Sequence, residues 1–150
     1  MSFTDSVLGT FEGSYDFGGE WFACGEVPWC GKAIGGEVAL AAGDEAQRDE
    51  CLATLRKLCQ NSEAIDARAR AYACQQMLAN ANKWKQADEK ADGNPITPEE
   101  FQRRLVMSGA TVWPKGKGGV LLQYEPDGMF TDHGLNLYLN DSGEFCDCSL

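Results

Sequence analysis

Apolar and polar positions alternate at both ends of this chain and change to a helical period in its middle. Near the C-terminus, Leu135, Leu137 and Leu139 alternate with Asn136, Tyr138 and Asn140, the pattern of a half-buried strand. The turn "NDSG" follows, and "EFCDCSL" is expected to return antiparallel, with Phe145 and Asp147 facing opposite Cys146 and Cys148. Earlier turns at "PKGKGG" and "EPDG" mark out a meander of about four strands from residue 105 onward. The first 43 residues read as strands and turns too. "SVLGTF" is a short apolar strand and "SYDFGG" a loop; "EWFACGEVPWCGK" is a Trp-flanked segment, and "GEVALAAG" a further strand with Val38 and Leu40 opposite Glu37 and Ala39. Pro28 cannot donate to a ladder, so it belongs at an edge or a bulge.

Between these β segments the period lengthens. Asp44 and Gln47 form a capping box before a helix expected over residues 45–60, with Cys51, Leu52, Leu55, Leu58 and Cys59 on one stripe. Asn61-Ser62 breaks it. A second, Ala-rich helix is expected over residues 63–91, with Ala67, Ala71, Cys74, Leu78 and Ala81 at helical spacing. Gly93 and Pro95 end it. Thr97, Pro98 and Glu100 then occupy the N-cap, N1 and N3 positions of a short third helix. The pattern predicts one α+β domain over residues 1–150: an antiparallel sheet from the N- and C-terminal segments, with the two main helices packed on one face.

Composition narrows the class. A hydrophobic share of 43% with four Trp and seven Phe is that of a globular chain with a sizeable core. No apolar run approaches the roughly 18 residues of a membrane helix, and "MSFTDSVLGTFEG" lacks a basic and then apolar leader. The expectation is a cytoplasmic protein with no membrane partner. The net charge of −10 is uneven: −8 over residues 1–50, +4 over residues 51–120 and −6 over residues 121–150. Acidic ends repel phosphate, which argues against nucleic acid and for a basic protein as partner.

Seven cysteines suit a reducing compartment. Cys51, Cys59 and Cys74 read as small core hydrophobes. Cys24, Cys30, Cys146 and Cys148 could supply four thiolates to zinc, but neither pair has the C-x2-C spacing. His133 is the only histidine, beside Asp132; neighbours on a strand point opposite ways, so this pair makes a poor catalytic dyad. "GKGG" lacks the remainder of a phosphate-binding loop. No catalytic residue, metal or cofactor is expected, and a small enzyme or metal-binding protein built on these cysteines and His133 is the alternative. A ligand-binding or accessory interaction domain is a further one. Glu20, Trp21, Glu26 and Trp29, with Asp127, Asp132, His133, Asp141 and Glu144, instead suggest an acidic binding surface with aromatic anchors.

Five short motifs carry a resemblance across most of the chain: Leu8-Gly9-Thr10-Phe11, Trp29-Cys30-Gly31, Asn82-Lys83-Trp84, Thr97-Pro98-Glu99-Glu100-Phe101 and the stretch from Phe130 to Leu139. In that order they resemble a bacterial family of domains of unknown function. The last departs from its pattern, since the family has Gly before His and this chain has Asp132-His133-Gly134. By analogy with small acidic α+β domains encoded beside bacterial toxins, the resemblance implies an immunity protein that neutralises a cognate toxin.

Overall fold

A computed structural model describes residues 2–15, 21–40 and 45–150. The described residues form an α+β fold of eight strands and three helices. In chain order these are β1 (Ser2–Asp5), β2 (Gly9–Tyr15), β3 (Trp21–Trp29), β4 (Lys32–Leu40), α1 (Glu45–Gln60), α2 (Ser62–Ala87), α3 (Pro98–Arg104), β5 (Val106–Val112), β6 (Val120–Glu125), β7 (Leu135–Leu139) and β8 (Phe145–Ser149). All eight strands lie side by side in chain order in a single sheet. The two terminal β segments therefore do share one sheet.

The junction differs from expectation. β4 and β5 pair in parallel, from Gly35 opposite Gly109 to Val38 opposite Val112, whereas every other neighbouring pair is antiparallel. The wholly antiparallel sheet read from the sequence is corrected at this seam. Antiparallel neighbours can be joined by tight hairpins, but parallel strands need a long crossover, and the three helices between β4 and β5 are that crossover.

Strand alternation then divides the sheet. Ala23, Val27 and Trp29 on β3, Ile34 and Val38 on β4, Ala110 and Val112 on β5, and Leu122 and Tyr124 on β6 are buried on one face, with Leu135, Leu137 and Leu139 on β7. Of the opposite parity, Cys24, Glu26, Glu37 and Gln123 are exposed, while Ala39 and Thr111 are buried. Pro28 lies past the last β2–β3 pair, Glu12 opposite Cys24, so its missing N–H faces an unpaired side, as expected of an edge position. In β8 the expected facing fails at Phe145. A bulge between Tyr138 and Leu139 sets Phe145 opposite Leu139 and Cys148 opposite Leu137, so both lie towards the core and Asp147 points away.

α1 has the expected span, and Cys51, Leu52, Leu55, Leu58 and Cys59 are buried along it. It rests on β4 where Gly36 has no side chain: a Cβ there would come within 2.7 Å of Val27 and 3.5 Å of Leu55. α2 ends at Ala87, short of the expected 91, because the Asp88 backbone turns to an extended conformation and its carboxylate takes the Lys90 N–H at 3.0 Å. Its buried side is Ser62, Ala69, Ala73, Cys74, Met77 and Ala81, while Ala67 and Ala71 are exposed. With alanine on nearly every side, the apolar pattern leaves the buried stripe of α2 undetermined. α3 starts as expected: the Thr97 hydroxyl accepts the Glu100 N–H at 3.1 Å, with Pro98 at N1. The expected Asp44 cap and most of the "SYDFGG" loop lie outside the described residues.

Candidate binding surface

A polar node ties the crossover to the sheet. Asp66, in the second turn of α2, accepts hydrogen bonds from the Trp29 indole at 3.3 Å, the Tyr124 hydroxyl at 2.7 Å and Arg70 Nε at 2.8 Å. Arg70 also donates through Nη1 to the carbonyls of Gln102 and Leu105, both at 2.5 Å. Burial pushes the Asp66 carboxyl upward, but the hydrogen bonds from Arg70 and Tyr124 and the Arg70 charge outweigh it and hold it below its ordinary value. Burial, with Asp66 as acceptor, pushes the Tyr124 hydroxyl upward. Each partner of this node is engaged in holding structure, and Trp29, at 2% exposure, is a core residue rather than a surface anchor.

α2 also serves as a ruler for the remaining candidates. Its first residue, Ser62, accepts the Cys30 N–H at 3.1 Å, at the β3–β4 hairpin. Tyr72 stacks on Phe145 of β8, with ring centroids 5.2 Å apart. Trp84, close to its end, meets the His133 and Phe130 rings edge-on, each at 5.6 Å. At about 1.5 Å per residue, Cys30 and His133 are held roughly 30 Å apart along the helix. Cys24 on β3 and Cys146 and Cys148 on β8 have four strands between them, about 24 Å at the usual spacing. Among the described residues no group of three or more His, Cys, Asp or Glu could hold a metal ion. Burial raises the thiols of Cys51 and Cys59 to about 11 and that of Cys148 to about 12, which disfavours the nucleophilic thiolate.

The acidic candidates fall in three places. Asp127, Asp132 and His133 belong to the β6–β7 loop, where Asp127 pairs with Arg104 Nε at 3.0 Å and Asp132 and His133 are exposed beside Trp84. Asp141 and Glu144 sit at the other end of β7, in the β7–β8 turn; the Asp141 carboxylate accepts the Gly116 N–H at 2.9 Å. Glu26 stands mid-strand on the exposed face of the sheet. Trp21 is half-buried across Gly13, where a Cβ would lie 2.5 Å from the indole. Glu20 lies outside the described residues.

The exposed face itself carries a set that one-dimensional reading did not assemble. Register aligns Glu12, Cys24 and Glu37 across β2, β3 and β4, and then Thr111, Leu121, Tyr138 and Asp147 across β5 to β8. Glu26 and Glu125 share their parity. All five acids are exposed, and no lysine or arginine of the described strands shares this face. Half-buried Phe22, Trp113, Leu121 and Tyr138 add apolar surface there, with Phe22 and Trp113 in edge contact at 6.4 Å. The signal available in the sequence was the alternation itself, once the parity of each strand was fixed.

Among the described residues, no helix is long and apolar enough to cross a membrane. Neither the curated proteins nor the solved structures contain a match to this chain. A family model does match, over residues 5–150, and its description is an uncharacterized protein conserved in bacteria. On that match the chain belongs to this bacterial family, DUF2262.

Proposed function

We propose that this protein is a non-enzymatic binding protein that docks a cationic protein on the exposed face of its sheet, and that it serves as an immunity protein masking the active site of a bacterial toxin. The observation that carries this reading is the exposed face: Glu12, Glu26, Glu37, Glu125 and Asp147, with no base of the described strands sharing that face, and apolar side chains between them. Charge of one sign steers an oppositely charged partner, and aromatic side chains at such a surface supply anchoring area. On this reading α1 and α2 share the other face, because they meet the sheet at Gly36, Trp29, Tyr124 and Phe145, all of the buried parity. Asp132, Glu144 and Asp141 then contribute as rim charges at the two ends of β7.

Co-expression with the product of the adjacent reading frame tests the proposal. The expected result is restored growth and a co-purifying complex whose association slows as salt rises, since steering is screened beyond a Debye length of about 8 Å. Joint reversal of Glu26 and Glu37 to Lys slows association; reversal of Asp127, already paired with Arg104, has a smaller effect. A complex indifferent to salt and to Glu26 and Glu37 overturns the assignment of this face.

A further inference from the structure

A groove of about 570 Å³ opens between the α1–α2 elbow and the tips of the β5–β6 and β7–β8 hairpins. Buried Leu58, Val120 and Leu139 give it an apolar lining, and Trp113 forms part of its wall. Exposed Lys57, Arg68 and Lys115 converge on it from three different elements. Among the described residues none of these three makes an ion pair. Among the described residues the lining contains one acid, Asp141, whose carboxylate accepts the Gly116 N–H, and Glu50, outside the lining, accepts the Lys115 N–H at 3.3 Å. In a chain of net charge −10, three unpaired cations around one apolar groove are a local inversion of the molecule's field.

The second groove, of about 650 Å³ beside Trp84, provides the contrast. It is lined by three bases as well, but Lys85 is paired with Asp92 at 2.8 Å and Arg104 with Asp127 at 3.0 Å, so its field is largely cancelled by the protein itself. Bland roles exist for single members of the first set: Lys57 sits in the last turn of α1, and the Arg68 guanidinium lies 5.6 Å from the Phe145 ring centre. Neither role explains why both line, with Lys115, a groove floored by buried leucines. We propose that this groove binds an organic carboxylate carried on an apolar or aromatic body, with the carboxylate received by Lys57, Arg68 and Lys115. The volume lies within the range of sites for small organic ligands, and an apolar lining with a few convergent polar groups is their usual make-up. Arg68 offers a planar fork to the carboxylate, and the two lysines supply point charges.

Naphthoate is a suitable probe, titrated into the intact protein while backbone amide NMR shifts are followed. Saturable shifts are expected at Asn61, Lys115, Gly119 and Ser142, with the neutral analogue naphthylmethanol binding far more weakly. Lys115→Ala, in an exposed loop, should weaken naphthoate about tenfold, the size of one charged hydrogen bond. Arg68→Lys, which retains the charge beside Phe145 but loses the fork, should weaken it as well. Shifts that do not saturate at millimolar naphthoate, shifts centred on the Trp84 groove, or equal binding of naphthoate and naphthylmethanol would each overturn the proposal.

Discussion

Asp66 receives donors from two strands and from its own helix, and it is the residue whose loss the fold should feel most. Replacing it with Asn keeps an acceptor for Trp29 and Tyr124 but leaves the Arg70 charge facing two carbonyls without a counter-ion. Breaking such a part-buried pair should cost about 3 kcal/mol in urea unfolding at neutral pH. Its pH dependence follows from the depressed carboxyl. A group held below its unfolded value, about 3.9 for Asp, stabilises fully above that value and loses the contribution as pH falls through its folded value. The gap between the wild type and Asp66→Asn should thus be constant from about pH 5 upward and narrow below about pH 4. Asp5, likewise depressed by its bonds to Arg56, Leu8 and Val7 although burial opposes them, is present in both proteins and cancels. A gap that persists at low pH would show that packing rather than charge is at stake. The sequence held a hint of this node in the Asp66 and Arg70 spacing of four on a helix, but which strands they reach depends on the fold. Trp29 was legible only as an aromatic; its indole bond to Asp66 made it core.

For single elements, legibility followed the strength of the local code. α1 and α3 were readable because aliphatic spacing fixes one and Thr97-Pro98 with Glu100 fixes the other. Thr97→Ala should remove the cap and cost about 1 kcal/mol, read as a lower midpoint in denaturant with unchanged slope. The buried stripe of α2 and the β8 facing were not readable. Alanine gives too little contrast, and a bulge shifts parity without a mark in the apolar pattern. The β5–β6 hairpin offers a sharper test of its own geometry. Gly119 has φ +76°, and a Cβ there would run into the Leu139 carbonyl oxygen. Gly119→Ala therefore meets both backbone strain and a neighbour that is itself backbone, and should destabilise by about 3 kcal/mol. Gly116→Ala, with φ +79° and nothing within 4 Å, carries the strain alone and should cost about 1 kcal/mol. Equal losses in the two variants would remove the close approach from the explanation.

Across the whole molecule, the shared sheet was legible from two alternating segments flanking helices, while the parallel seam was not, because no single strand encodes the direction of its neighbour. That seam decides where charge goes. By joining β4 to β5 it continues the acidic parity of β2, β3 and β4 into β6 and β8, so acids distant in sequence occupy one face. Glu37 stands two strands from Glu12, about 9.6 Å at the usual spacing, and Glu26 is its neighbour on β3. Two unit charges at that distance in water repel by about 0.4 kcal/mol before screening. The free protein should therefore gain stability when the face is neutralised: Glu37→Gln by about 0.5 kcal/mol at low ionic strength, and less at physiological salt, where the Debye length is about 8 Å. The same substitution should slow association with a cationic partner, because it weakens the steering field. Stability and binding then move in opposite directions, the pattern expected where a surface is retained for function at the expense of the free fold. Thermal unfolding of Glu37→Gln across a salt series, set beside association rates for the same variant, measures both. If neutralisation destabilises the free protein, the acids of this face serve the fold itself, and its assignment as the docking surface loses its physical basis.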